Sequence, residues 1–587
     1  MNSTNDLSTN FLDNYPLPFD FENINIKNLE NIIYLTEKGF SEPIGSYNHK
    51  THIATLNKSV SNKTLVILIS DFTLIGNDNS IANNELDISL FISKGLKNIN
   101  IENLKFNSHH INVFIEPLCE NINFSNCVFE CQNIGVGSIA SKKISISHCN
   151  FPFANTGILL FGCKDALIKS SQFISNESGI YLYENNNNCT IKDNLFLDCI
   201  EGISIESKNN FNIISNNKFE NENNTLQQYC ISVLTSNNYN KISKNLMVFS
   251  NKSINYDVGS INSRFIGIYL EEDINSFNTI SNNKITFKNN TFNFNNTNPN
   301  IFIAGIACYE CNNDIDISEN EIEIINNEFT MKKGNAQSVI LNNIYVSNHN
   351  NGIIKNNICS ISKNITNLSL KEGLFEINNL IFDNENKSIK VFYNKFDILD
   401  NKSINKNSIF RSFNISLIDS NSDLNIKDNL FKLKNNSQGL LSSVNICSEN
   451  YGNKVSYNKF IDINGISILL DYYNIGNVIM YNTINCDNFT IILNDSNDSN
   501  IIKENSLYTI ASSNLLLVTN NVNNLISSNN IENKFLGIVL INNSNNFNSI
   551  ELNEFYETSE DIATHKESYN YIYNNSKYTT EDYNNND

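Results

Sequence analysis

Apolar and polar positions alternate in short runs between Ile146 and Phe219, and the runs recur. The text reads ISISHCNF, then GILLFGCKDALIKSSQF, then GIYLYENNNNCTIKDNLF, then GISIESKNNFNIISNNKF. Phe151, Phe173, Phe196 and Phe219 close these units, so the period is 22 or 23 residues. Each unit holds two short alternating segments divided by an Asn-rich turn, which predicts strands rather than helices. One such unit cannot bury its own apolar face, so the units must stack.

The closing position runs on as Phe106, Phe129, Phe151, Phe173, Phe196, Phe219, Met247, Ile285, Ile322, Cys359, Phe396, Phe431, Phe460, Ile484, Leu507, Ile531 and Phe555. Two residues before it an Asn recurs from Asn194 to Asn553, whereas Cys127, Cys149 and Ser171 hold that place earlier. Asn tolerates the left-handed bend between strands, and stacked amides can hydrogen-bond from rung to rung. The pattern predicts about 17 or more rungs over residues 64–555. Residues 1–63 are expected to form an N-terminal segment and cap, with a short amphipathic helix over Lys27–Lys38. Residues 556–587 read as a polar C-terminal tail.

These units resemble the repeats of the right-handed parallel β-helix, the pectin lyase-like superfamily. The resemblance covers about residues 64–555 and implies an all-β solenoid. That superfamily includes polysaccharide lyases and hydrolases, tailspikes and adhesins, so the resemblance speaks to fold and not to activity.

The repeat is uneven in one place. From closing residue to the next Gly-like position the chain takes 6 residues at Phe151–Gly157, but 20 at Met247–Gly267 and at Ile285–Gly305. Five consecutive rungs, about residues 247–431, lengthen this same corner. Their inserts begin and end in strand-like text, which predicts a stacked fin formed by strands that extend outward and return. Loops on a rigid scaffold are where binding surfaces concentrate.

Composition narrows the partners. The formal charge is -20, only 17% of residues are charged, and Arg264 and Arg411 are the only arginines. Phosphate binding needs clustered cations, so nucleic acid is not an expected partner. No apolar run approaches the roughly 18 residues of a membrane-spanning helix. The N-terminal text has neither a basic nor an apolar signal region, so the expected location is cytoplasmic, or outside by a non-Sec route. The 13 cysteines sit mostly in strand text and are expected to be reduced, with Cys127 and Cys149 stacked one rung apart.

Chemistry is less legible. The paired aspartates, His-Gly and Arg-Ile-Lys that polygalacturonases of the superfamily carry do not occur, nor does the Arg-x-Pro-x-x-Arg of pectate lyases. Glu271, Glu272 and Asp273 follow one strand, and Glu310, Asp314, Asp316, Glu319, Glu321 and Glu323 follow on the next rung. Such carboxylates suit calcium, acid–base work or, more often, a solvated face. His49, His52, His109 and His110, and the pair Cys308 and Cys311, fall short of a zinc ligand set, so no metal and no cofactor is expected. Arg264 and Arg411 each lie three residues before the Gly-like position of their rung, at Gly267 and Asn414. They are expected to share a column, where each either pairs with local carboxylates or, with Lys332 and Lys333, holds an anionic glycan. The expected function is a non-catalytic surface or structural β-helix protein, adhesive or glycan-binding; the alternative is a polysaccharide lyase or glycoside hydrolase. No catalytic residue is assigned.

Overall fold

The computed structural model describes residues 31–578 except 84–87, 257–258, 272–274, 296, 311–312, 333–336, 370–372, 406–407, 511–512 and 566. The described residues contain no helix. The chain forms two compact units, one ending at Tyr183 and one beginning at Glu184.

In the first unit each rung gives one strand to each of three parallel sheets. Ile134–Ile139, Lys142–Ser147 and Asn150–Pro152 lie against Thr156–Phe161, Leu167–Lys169 and Gln172–Ile174 of the next rung. Alternate side chains point inward, and the closing phenylalanines stack. Ring centroids are 5.1 Å apart for Phe106–Phe129, 4.6 Å for Phe129–Phe151 and 4.8 Å for Phe151–Phe173. These distances match the ~4.8 Å between neighbouring strands, so parallel in-register pairing alone sets the ring separation. Cys127 and Cys149 are buried one rung apart at the corner just before the closing phenylalanines, and the Cys149 amide donates to Ser171 Oγ at 3.1 Å. The twelve described cysteines carry no disulfide.

The ladders begin before residue 64. Ile32–Thr36 pairs in parallel with Thr64–Ile67, where a helix was expected over Lys27–Lys38. Ile33 and Leu35 are buried while Tyr34 faces out. A period of two that supplies a rung outweighs the weak helical reading of the same letters. Residues 27–30 lie outside the described residues.

The second unit keeps the same plan with an amide at the corner. Closing residues pair in register from Phe196↔Phe219 through Ile285↔Ile322 and Phe396↔Phe431 to Ile531↔Phe555. Asn283 Nδ2 donates to Asn320 Oδ1 at 3.0 Å, Asn320 to Asn357 at 3.0 Å, and Asn357 to Asn394 at 2.9 Å. Each such amide also donates to a main-chain carbonyl of the preceding rung, as Asn320 does to Ile280 O at 2.9 Å. Its oxygen takes a main-chain N–H as well, as Asn357 Oδ1 does from Asn320 at 3.0 Å. The polar atoms of these buried side chains are thus satisfied. The column runs on past residue 555: Asn553 donates to Asn575 at 3.1 Å, and Tyr571–Tyr573 and Ser576–Tyr578 join the ladders.

The five long inserts stack, and the structure adds what their lengths left open. Ser253–Tyr256, Thr291–Phe294, Glu328–Met331, Ile365–Leu368 and Lys402–Ser403 form a fourth parallel sheet. The fin is therefore packed inside. Ile254, Phe292, Phe294, Phe329, Met331 and Leu368 are buried in it, and Phe292 and Phe329 stack at 5.0 Å. A second amide column, Asn290–Asn327–Asn364–Asn401, lines its corner at 2.8 to 3.0 Å. Ahead of this column stands Lys252, buried, with its main-chain N–H on Asn290 Oδ1 and its Nζ on Asn223 O at 2.7 Å. Burial lowers the Lys252 ammonium to about 8.

Candidate functional site: a trough on the outer face of the bent sheet

The fin requires long strands in the first sheet. Gly259–Glu271, Thr297–Cys308, Ser338–Ser347, Leu374–Asp383 and Ile409–Ile418 each run down the fin wall and on along the body. The ladder skips one residue per strand, at Gly267, Gly305, Asn343, Asn379 and Asn414. This is the bend. A Cβ on Gly267 would stand 2.6 Å from Gly305 O, and one on Gly305 2.3 Å from Ile322 Cγ2, so neither position admits a side chain. Where asparagine takes over, Asn343 Nδ2 donates to Asn379 Oδ1 at 2.6 Å and Asn379 to Asn414 at 2.8 Å.

The bend is sharp and its concave side faces outward. Phe302 and Tyr309 are seven residues apart, about 23 Å if the strand were straight. Their ring centroids are 6.5 Å apart. Residues three before and four after the bend therefore oppose one another on the two walls of a trough. By this rule Arg264 opposes Glu271, Phe302 opposes Tyr309, and Glu376 opposes Asp383.

Three features follow along the trough. Its first part is aromatic: Tyr229, Tyr269 and Phe302 are almost wholly covered, Tyr309 and Tyr345 partly so, and Tyr309–Tyr345 centroids are 4.6 Å apart. Its middle is floored by small polar side chains. Asn342, Asn378 and Ser416 are fully buried and Asn445 is 5% exposed. Asn378 Nδ2 donates to Asn342 Oδ1 and to Glu376 Oε1, both at 3.0 Å, while Asn342 Nδ2, Asn378 Oδ1 and Asn445 Oδ1 have no partner. At the far end, where the fourth sheet stops, a hollow of about 420 Å³ opens among Ser437, Leu440, Asn464, Ile466 and Phe489.

Charge in the trough is mostly acidic. Glu376 is 8% exposed; burial raises its carboxyl, against the lowering effect of Asn378 and Arg411, and Asp383 raises it further. Asp383 is likewise raised, first by burial, although Tyr345 Oη donates to it at 2.7 Å. Asp471 is raised chiefly by burial and accepts from Asn494 Nδ2 at 2.7 Å.

Of the residues singled out from sequence, Arg264, Glu271 and Arg411 lie in the trough. Arg264 and Arg411 share one column through Arg264↔Phe302↔Ile340↔Glu376↔Arg411. Arg264 sits among Tyr229, Tyr269, Tyr309 and Glu271. Arg411 Nη1 is 3.8 Å from Glu376 Oε2. Lys332 is exposed at the fin tip, after Glu328–Met331. Glu272, Asp273, Lys333 and Cys311 lie outside the described residues. The carboxylates of the following rung spread over other faces, with Asp316 near Lys355 at 3.4 Å and Glu321 near Lys284 at 2.6 Å. Among the described residues no group of three or more His, Cys, Asp or Glu is placed to hold a metal ion. Glu376, Asp383, Asn378 and Tyr345 escaped the sequence reading. Counting three back and four on from each bend residue would have found the first two.

A family model described as a right handed beta helix region matches residues 89–247. With the parallel in-register ladders of both units, this makes the chain a right-handed parallel β-helix repeat protein. No curated protein matches it. Among solved structures it is similar to an alginate lyase from Paenibacillus sp. str. FPU-7, at 10% identity over 49% of this chain and 92% of that one, TM-score 0.24. A mutant tailspike protein of E. coli bacteriophage HK620, in complex with a pentasaccharide, matches at 9% identity over 68% and 72%, TM-score 0.31. A periplasmic alginate epimerase matches at 11% identity over 66% and 84%, TM-score 0.28.

Proposed function

We propose that this chain is a glycan-binding β-helix protein of the surface or structural kind, and that the trough holds one polysaccharide chain along the rungs. The observation that carries the reading is the trough floor. Aromatic rings are followed by buried amides whose Asn342 Nδ2, Asn378 Oδ1 and Asn445 Oδ1 lack partners. Sugar hydroxyls both donate and accept, so a row of them satisfies such atoms, while rings cover the apolar sugar faces. Arg264, Glu271 and Arg411 then line the bound chain. A glycan array with the purified protein tests this, and Asn378→Ala should weaken the best ligand roughly 10-fold. Absence of binding to any polysaccharide would defeat it.

A second reading, a carbohydrate-active hydrolase, is favoured by one observation: Glu376 and Asp383 oppose one another and both carboxyls are raised. Glycoside hydrolysis uses two carboxyl groups that flank the scissile bond. A reducing-end assay on each array hit separates the readings, since turnover abolished by Glu376→Gln would establish the enzyme.

A further inference from the structure

We infer that the trough selects uncharged glycans and rejects acidic ones, its two arginines serving as internal counter-ions. The inference rests on the glycan reading above and deepens it. Along the described outward columns of the bent strands the cations are Arg264 and Arg411, and no lysine joins them. Against them stand Glu271, Glu376, Asp383 and Asp471 in the trough, with Glu201 and Glu206 at its N-terminal mouth. Each guanidinium already has a carboxylate: Arg264 has Glu271 in its field, and Arg411 lies 3.8 Å from Glu376. A uronate or sulfate entering here meets a surplus of negative charge on walls too close for water to screen it fully.

The floor points the same way. Its unpaired atoms are one amide donor, Asn342 Nδ2, and two acceptors, Asn378 Oδ1 and Asn445 Oδ1. Acceptors repel an anionic oxygen and welcome a hydroxyl or acetamido N–H. The two arginines thereby pair with local carboxylates in place of gripping an anionic chain, the other role the sequence leaves open. Their shared column is as expected, and their charge is spent on Glu271 across the trough and on Glu376 within the same column.

The test is an array of matched polysaccharides, neutral, uronate-bearing and sulfated, titrated at low and at high salt. The expected result is at least a 10-fold preference for a neutral chain, with little dependence on salt. The double variant Glu376→Gln, Asp383→Asn should narrow that preference several-fold, its fold checked by thermal melting. A best ligand that is acidic, or equal binding of acidic and neutral chains, overturns this inference and leaves the glycan reading standing. Binding of no chain in any class overturns both.

Discussion

The narrow rungs of the first unit and the broad rungs of the second solve the same packing problem with different outcomes. Around Phe151 three strands close a rung, the corner is held by Cys127, Cys149 and Ser171, and the first-sheet strands are six residues long. Around Phe329 a fourth strand is added, the corners carry amide columns, and the first-sheet strand grows to 10 residues at Leu374–Asp383. The core chemistry hardly changes between them. What changes is the outer face: a straight strand presents its outward side chains to solvent, whereas a bent one turns them toward each other. The trough is thus a by-product of widening. Any set of stacked inserts that forces the bend brings residues seven apart in sequence within reach.

Emptying the fin should have the largest effect. Phe329→Ala should cost about 3–5 kcal/mol of fin packing and abolish binding in the trough, because the wall bearing Glu376 and Arg411 rests on that core. Retained binding in a variant with a collapsed fin would detach the trough from the widening. Next comes the corner. Asn320→Ala orphans partners on both neighbouring rungs and should destabilise by about 2–3 kcal/mol in guanidinium titrations. Cys149→Ala, at the matching corner of the first unit, should cost about 1 kcal/mol, and equal costs would erase the distinction between the two corners.

A smaller effect follows from protonation. Glu376 and Asp383 are raised in the folded state, so their contribution is fully present below the ordinary carboxylate range and is lost as pH rises through their folded values. Glu376→Gln should therefore gain on the order of 1 kcal/mol over the parent at pH 8 and little at pH 4, read from denaturation midpoints at both. The smallest effect is chemical rather than energetic. Thiol titration of the denatured, unreduced protein should recover close to all 13 cysteines.

The repeat was legible because its signals are local. Phe106 through Phe555 announce the closing column, and Asn283 through Asn394 the amide column, since identical neighbours at rung spacing must stack. The fourth strand was half legible: insert lengths fixed which rungs widen, but TFNF and EFTM are too short to distinguish a strand from a loop edge. Glu376 and Asp383 were not legible as a pair. Neither belongs to a motif, and their meeting depends on a bend at Asn379 that reads as one more asparagine. The N-terminal strand Ile32–Thr36 was misread because five residues carry either period.

The amide columns have an electrical consequence. In every step from Asn194 to Asn575 the Nδ2 of one rung donates to the Oδ1 of the next, never the reverse. The side-chain dipoles therefore point one way and add along the column, as peptide dipoles do in a helix. The C-terminal end of each column is its positive pole and the N-terminal end its negative pole. Lys252 stands at the negative pole of the fin column, one rung ahead of Asn290. A buried ammonium is costly almost anywhere in a protein; here it meets the end of a field that favours a cation.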